Sequence, residues 1–486
     1  MNSNKLRIKE LYYQIGNHSG NIIIWAFLVN ILFFIYYCLL IPLPSANDVF
    51  YYMSIADSYY NGNGFYDITR ADAQPILTPQ NGIVFVHIFL KWIGLNEFDS
   101  RILVITIINY VAFLGTIYIL YKIFRESNVS LEITNMCLGI ILLSAYFLKA
   151  SILPINDGLY CFISLIILYL IIMNNNYSLA KTILIIVLSI FVANLRVNGP
   201  LILLSASITY FLLNKIKLSS LYFMIFIGSY YSIYVIYWVL KVDISGMKSL
   251  IVNLYNVNFF IEKLKATLIA TIPGVFLGIS GRPMIIMLPI SIMVIAYYLY
   301  YMACSLKNKS FKRIFVIVNI MLSLIFFLFI PGYDSRYIIL IIPFTLYAIA
   351  MQFDKNHKRT LRKILGIIAI VTVLISLVRV TYWDSIYFKN KSTFSYIRKT
   401  IGEPYTLISQ SPRISYYVFG KRASKIEDIK DNIRNVVIYG DNAYIASNIN
   451  IIKDKYGIKD CKFIDKGTIE GHYGNNTLHL VEIILK

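Results

Sequence analysis

Ionisable side chains are scarce in this chain. Only 14% of its 486 residues are Asp, Glu, Lys or Arg, 58% are hydrophobic, and the mean hydropathy is +0.66. A soluble protein of this length needs far more charged surface, so that class is excluded. Cysteine is scarce too: of the 5 present, Cys38, Cys137, Cys161 and Cys304 fall in apolar stretches. Cys461 is left alone in the polar C-terminal part, which excludes an internal disulfide there. The 5 histidines (His18, His87, His357, His472, His479) are scattered, so no His-rich zinc site is expected. No Asp-x-Asp pair occurs in the first polar loop, and no internal repeat is evident. The first apolar run is too long for a signal peptide and lacks a small-residue cleavage site after it, so it is expected to be retained.

Long apolar runs are plentiful. Ile22 to Pro42 carries no ionisable side chain and is long enough to cross a hydrocarbon core of about 30 Å at about 1.5 Å per residue. Further spans are expected at Ile102–Tyr121, Ile133–Lys149, Gly158–Met173, Thr182–Leu195, Gly199–Leu213 and Leu218–Leu240. The remainder are Met284–Leu306, Ile314–Ile330, Tyr337–Phe353 and Ile364–Val380. The fold class is therefore a polytopic α-helical membrane protein of about eleven transmembrane helices, with a C-terminal soluble α/β domain.

Basic residues orient it. Lys5, Arg7 and Lys9 precede the first span. Lys215 and Lys217, then Lys307, Lys309, Lys312 and Arg313, then Lys355, Lys358, Arg359, Arg362 and Lys363 fall in alternate short loops. The loops near Asn156, Asn198 and Asp334 hold few. The positive-inside rule puts the N-terminus in the cytoplasm and the C-terminal domain outside, in a multi-pass plasma (inner) membrane protein. The net charge of +20 is absorbed by this pattern and by anionic lipid headgroups. No basic stripe lies outside the loop clusters, so nucleic acid is not an expected partner.

The division expected is a membrane domain over residues 1–382, with a first outer loop at 43–101, and an extracytoplasmic domain over 383–486. Within the loop, Ile83 to Gly94 is too short to span and reads as interfacial. Ala266 to Gly281, broken by Pro273 and glycines, reads as interfacial or re-entrant. In the tail, Tyr405–Ser409, Asn435–Tyr439 and Leu478–Ile484 read as strands and Ala443–Tyr456 as a helix stopped by Gly457. Tyr439-Gly440-Asp441 stands where phosphate loops occur, but a single glycine reads better as a turn with an Asp cap.

Asp48, Asn156 with Asp157, Arg196 and Arg336 all fall at outer ends of spans under this orientation, where charge needs water, partners or ligands, and together they favour an outward polar cavity. Asp48 can be a base whose pKa is raised at an apolar mouth, or an N-cap for the helix running through Tyr59.

The segment Asp48 to Arg101 resembles the first outer loop of C-type glycosyltransferases, the membrane enzymes that include protein O-mannosyltransferases and aminoarabinose transferases. It carries Asp48 after the first helix, Tyr51, Tyr52 and Ala56, the turn glycines Gly62 and Gly64, Pro75 and Pro79, then Gly94-Leu95-Asn96-Glu97-Phe98-Asp99-Ser100-Arg101. Pro154-Ile155-Asn156-Asp157, Asn198-Gly199-Pro200, Ser335-Arg336-Tyr337 and Pro343-Phe344 extend the resemblance to about Phe353. The usual Lys-Pro-Pro strip is replaced by Pro75-Ile76-Leu77-Thr78-Pro79, and the Lys before Gly-Pro by Asn198.

The resemblance implies an inverting transfer of a sugar from a polyprenyl-phosphate-linked donor to a glycan, lipid or protein acceptor at the outer face. It implies Asp48 as the base, Arg336 and Arg196 on the donor phosphate, Asp157 orienting acceptor or base, and Tyr51 and Tyr52 on the sugar. No cofactor is expected, and a metal-independent reaction is expected with a divalent cation as the alternative. A transporter or lipid flippase, or a non-catalytic polymer-assembly partner, would share the many helices. Transporters commonly show paired repeats, whereas this chain has one long early loop and a late polar domain.

Overall fold

The computed structural model describes residues 19–36, 38, 47–69, 82–172, 178–239, 257–272, 288–329, 339–353, 358–381, 399, 405–410, 412–424, 435–456, 461–470 and 477–485. Among them, the helices in chain order are α1 (Ser19–Ile35), α2 (Asn47–Tyr60), α3 (Gly82–Trp92), α4 (Phe98–Glu126), α5 (Leu131–Leu143), α6 (Ala145–Ile152), α7 (Asp157–Ile172), α8 (Leu179–Leu195), α9 (Leu201–Leu212) and α10 (Ile216–Val239). They continue as α11 (Val257–Ala266), α12 (Leu288–Lys307), α13 (Phe311–Phe329), α14 (Ile341–Phe353), α15 (Lys358–Thr381), α16 (Pro412–Phe419) and α17 (Asn442–Tyr456). The strands are β1 (Tyr405–Ser409), β2 (Asn435–Gly440), β3 (Cys461–Glu470) and β4 (Thr477–Leu485).

Five of the described helices carry stretches long and apolar enough to cross a membrane: Phe98–Glu126, Ile216–Ile236, Leu288–Lys307, Phe311–Phe329 and Arg359–Leu377. Shorter apolar helices of 10–17 residues accompany them.

The chain forms two compact units. The first holds residues 1–35, 78–82 and 104–382; the second holds 36–77, 83–103 and 383–486. This differs from a linear cut at 382/383, because most of the first loop groups with the C-terminal residues.

Helix packing in the first unit is fixed by small polar contacts set among apolar side chains. Asn30 of α1 donates from Nδ2 to the Leu142 carbonyl at 2.8 Å, and the Tyr110 hydroxyl donates to Asn30 Oδ1 at 3.1 Å. Asn319 of α13 donates to Ser205 Oγ of α9 at 2.9 Å. Buried amides are held this way because an unpaired one in an apolar setting costs about 1–3 kcal/mol.

One expected span is corrected here. Ile133–Lys149 is not one helix, because the backbone turns extended at Ser144 (φ −74, ψ 103) and starts again as α6. The Ser144 hydroxyl accepts from the Phe147 amide at 3.2 Å, an N-cap inside what reads as a continuous apolar run.

The second unit contains a four-stranded sheet of order β1-β2-β4-β3. β1 and β2 are parallel, and β4 is antiparallel to both β2 and β3. α17 leaves β2 through Asp441, which caps it by accepting from the Tyr444 amide at 2.8 Å. Gln410 donates to Asp441 Oδ2 at 2.9 Å, and these bonds hold the Asp441 carboxyl below the usual range. The turn-plus-cap reading of Tyr439-Gly440-Asp441 agrees with this geometry.

The first loop joins this sheet by backbone. Ala423 bridges Leu407 of β1 and donates its amide to the Thr69 carbonyl at 3.0 Å. α2 carries Asp48 in its first turn, which suits the positive helix end. It stops at Gly62, whose φ of +77 an L side chain resists, while Asn63 donates back to the Ser58 carbonyl at 3.0 Å.

Candidate functional site

In the second unit, α2, α3, the start of α4 and α16 meet around the Asp57 carboxylate. Helical spacing puts Asp57 two and a half turns beyond Asp48 on α2. Its Oδ1 accepts from Lys91 Nζ of α3 at 2.9 Å and from Arg101 Nη1 of α4 at 2.7 Å. Its Oδ2 accepts from Arg101 Nη2 at 3.2 Å and from the Tyr417 hydroxyl of α16 at 3.1 Å. The Arg101 and Asp57 side chains are only 2% and 12% exposed. Burial pushes the Asp57 pKa upward, but the hydrogen bonds and charges of Arg101 and Lys91 override it and hold the group below the ordinary carboxylate range. Tyr417 moves the other way: burial and the Asp57 charge raise its phenol well above 10.

Apolar packing locks the same junction. Phe50, Phe98 and Tyr417 form a ring cluster, with centroids 5.2 Å apart for Phe50–Phe98 and 4.8 Å for Phe98–Tyr417. Lys91 Nζ also lies 4.6 Å from the centre of the Tyr60 ring. His87, fully buried on α3, makes no hydrogen bond from either ring nitrogen among the described residues. Burial, and then the Arg101 charge, lower its pKa to about 3 against an opposing pull from Asp57, so the imidazole is neutral at physiological pH.

A second acidic group, Asp67, sits beside this cluster. Its Oδ1 accepts from the hydroxyls of Ser54 (2.8 Å) and Thr69 and from the Thr69 amide (3.2 Å). Its Oδ2 accepts from Arg413 Nε of α16 at 3.2 Å.

Of the residues expected to do chemistry, Asp48, Tyr51 and Tyr52 share α2. Asp48 is partly exposed, whereas Tyr51 and Tyr52 are buried at 7% and 5% exposure. One face of the Tyr51 ring carries the Arg413 guanidinium, its Cζ 4.2 Å from the ring centre.

Asp157 and Arg196, in the first unit, form a buried ion pair with each other. Asp157 is in the first turn of α7 and is 0% exposed; Arg196 ends α8 in extended backbone and is 4% exposed. Beside them Asn156 donates to the Leu195 carbonyl at 2.6 Å, and Asn109 donates to the carbonyls of Leu153 and Ile155 at 2.6 and 3.0 Å. A Cβ at Gly158 would strike the Ser151 carbonyl, which explains the glycine after Asp157. The geometry ties the ends of α7 and α8 together. Neither charged side chain faces open solvent in this arrangement.

Arg336, Pro75 and Pro79 lie outside the described residues. Sequence reasoning placed Asp57 and Asp67 among the first-loop acids, as fallback positions for the base, but missed Asp57, Lys91 and Arg101 as a set, although Arg101 closes the Gly94-to-Arg101 motif, and it did not single out Arg413 or Tyr417. The available signal was an unusual density of Asp in an otherwise acid-poor chain.

Neither Asp57 nor Asp67 is left open to a metal ion: Asp57 is taken by two cations and Asp67 by Arg413 and hydroxyls. Among the described residues, no group of three or more His, Cys, Asp or Glu side chains comes together to hold one.

No family model matches the chain, and no curated protein matches it by sequence. Solved structures do. ArnT from Cupriavidus metallidurans, bound to undecaprenyl phosphate, superposes with a TM-score of 0.57 at 10% identity, covering 94% of this chain and 97% of that one. The Archaeoglobus fulgidus oligosaccharyltransferase, in complex with zinc and sulfate, superposes with a TM-score of 0.54 at 13% identity, covering 85% and 67%. The chain has the C-type glycosyltransferase fold. The transporter and flippase readings draw nothing from these likenesses.

Proposed function

From that fold, we propose that the chain transfers a sugar from a polyprenyl-phosphate-linked donor to a hydroxyl acceptor at the outer face of the membrane. The observation that carries the reading is the fold shared over 94% of the chain with a protein solved with undecaprenyl phosphate. In this reading the basic loops put the N-terminus in the cytoplasm, and about eleven crossings, counted from the apolar runs, then put residues 383–486 outside.

Asp48 is the base in this reading. It stands partly exposed in the first turn of α2, and that helix is anchored at its far end by the Asp57 ion cluster. As the acceptor oxygen attacks the anomeric carbon, Asp48 takes its proton. The bond from that carbon to the phosphate oxygen breaks, the polyprenyl phosphate leaves with the electron pair, and the anomeric configuration inverts. Arg336 is proposed to hold the departing phosphate by two parallel hydrogen bonds. Asp157 and Arg196 serve as scaffold, since each is buried against the other.

An apolar cavity of about 280 Å³ in the first unit, lined by Met293, Tyr297, Ile342, Leu346 and Ile368 among others, supports a hydrocarbon-chain ligand. The reading is of a metal-independent transfer, with a divalent cation as the alternative. A hexose, a pentose or an amino sugar would each satisfy this chemistry, as would a glycan, lipid or protein acceptor.

The test is turnover by purified protein in lipid nanodiscs with a panel of polyprenyl-phosphate-linked sugars, following released polyprenyl phosphate. Release that requires an acceptor and persists in chelator is expected. Absence of release across the panel, with protein that is folded, would overturn the reading.

A further inference from the structure

Arg413 is held in an unusual way. Its Nε is fixed on the buried Asp67 carboxylate at 3.2 Å, and its guanidinium plane lies 4.2 Å from the centre of the Tyr51 ring. Those two contacts restrain both ends of its freedom, yet the side chain stays 30% exposed. No hydrogen bond engages its two terminal nitrogens among the described residues, so the forked edge that matches a phosphate is left available. Tyr51 is one helical turn from Asp48 on the same face of α2, which places Arg413 against the stretch of helix that bears the proposed base.

We propose that Arg413, a residue of the C-terminal part of the chain, grips the phosphate of the lipid-linked donor. The role rests on the donor class proposed above and adds to it a cation that the first-loop sequence does not contain. A forked guanidinium pairs with the two non-bridging oxygens of the donor's phosphodiester, which a lysine cannot match. Asp67 sets its angle through Nε and so leaves both terminal N–H groups to the ligand. The C-terminal residues are then part of the donor site.

The experiment titrates undecaprenyl phosphate, undecaprenol and inorganic phosphate separately into the full chain in nanodiscs, following the thermal unfolding midpoint, and repeats the titrations with Arg413→Gln and Arg413→Lys. Wild-type protein should bind undecaprenyl phosphate and neither of the others at matched concentration. Arg413→Gln should need about tenfold to hundredfold more undecaprenyl phosphate, the loss associated with a hydrogen bond to a charged group. Arg413→Lys, which keeps the charge beside Asp67 and hence the local ion pair, should fall between them; it decides the matter if the glutamine variant does not fold. In turnover, the variants should raise the donor KM more than they lower kcat.

Undecaprenyl phosphate binding that is equal in wild type, glutamine and lysine variants would refute the role of Arg413 while leaving the donor reading intact. Failure of wild-type protein to distinguish undecaprenyl phosphate from undecaprenol, or equal binding of inorganic phosphate, would overturn the donor reading and the role of Arg413 with it.

Discussion

Replacing Asp57 by alanine should open the second unit. The carboxylate holds two buried cations, Lys91 at 2.9 Å and Arg101 at 2.7 Å, on one oxygen, and takes the Tyr417 hydroxyl on the other. At an effective dielectric constant of about 20, each contact is worth about 6 kcal/mol of Coulomb attraction, most of it offset by taking the three groups out of water. Removing the carboxylate cancels the attraction and keeps the burial. It leaves an ammonium and a guanidinium side by side without a counter-charge, with side chains only 10% and 2% exposed. The expected loss is about 3–5 kcal/mol, well above the roughly 0.2–1 kcal/mol of an exposed pair.

At about 1.4 kcal/mol per tenfold, the population of open molecules rises by two to three and a half orders of magnitude. Limited proteolysis of the full chain in detergent reads this population where reclosing outpaces cleavage. Cuts in the first loop and in residues 405–424 should accelerate together, since Ala423 and Thr69 share a backbone hydrogen bond. Replacing Asp57, Lys91 and Arg101 together by leucine should recover most of the loss. Acceleration of less than about tenfold in Asp57→Ala would mean that the cluster behaves as an exposed ion pair, and the account of it as the anchor of α2 would fail.

Further predictions concern pH, catalysis, topology and the first unit. His87 is neutral when folded, with a pKa of about 3, and takes a proton near pH 6.5 when unfolded; its contribution is therefore intact above about pH 6.5 and declines by up to about 1.4 kcal/mol per pH unit below it. The Asp57 contribution is lost later, as pH falls below about 4 through its lowered folded value, so His87→Leu should flatten a proteolysis-versus-pH profile between about pH 3 and 6.5, and above pH 4 that flattening stands apart from the Asp57 loss. Asp48→Asn should insert and bind undecaprenyl phosphate normally yet turn over about a hundredfold or more slower, and near-normal transfer by that variant would move the base elsewhere. Asn450→Cys, in a Cys461→Ser background, should react with a membrane-impermeant thiol reagent in intact cells; reaction only after permeabilisation would invert the topology. Arg196→Met should strand the buried Asp157 carboxylate and lower stability by about 3–5 kcal/mol, measured as a shift in detergent unfolding, with partial recovery in the Asp157→Leu, Arg196→Met double variant.

Local chemistry was readable from the chain alone where one stretch decides its own state. Apolar runs announced helices at Phe98–Glu126, Leu288–Lys307 and Phe311–Phe329, because a helix satisfies its own backbone wherever it lies. Gly62 and Asp441 gave away their turn and cap for the same reason: the φ and the cap bond are set within a few residues. β1, β2 and β4 were legible as short β-branched stretches, but β3, Cys461–Glu470, was not. Its sequence carries Lys462, Asp465, Lys466 and Glu470, and it is a strand because β4 offers it an antiparallel partner.

What only tertiary structure decided was which charge answers which. Asp57, Lys91, Arg101 and Tyr417 are far apart in the chain, and no spacing rule brings them to one carboxylate. Asp157 and Arg196 read from the sequence as residues of an outward polar cavity, and their pairing with each other came only from the way the ends of α7 and α8 meet. Arg413 lies hundreds of residues from Tyr51 and Asp67 and is placed on them by the docking of α16 against α2. A buried charge needs an opposite charge from whichever element reaches it, and that choice belongs to the folded chain.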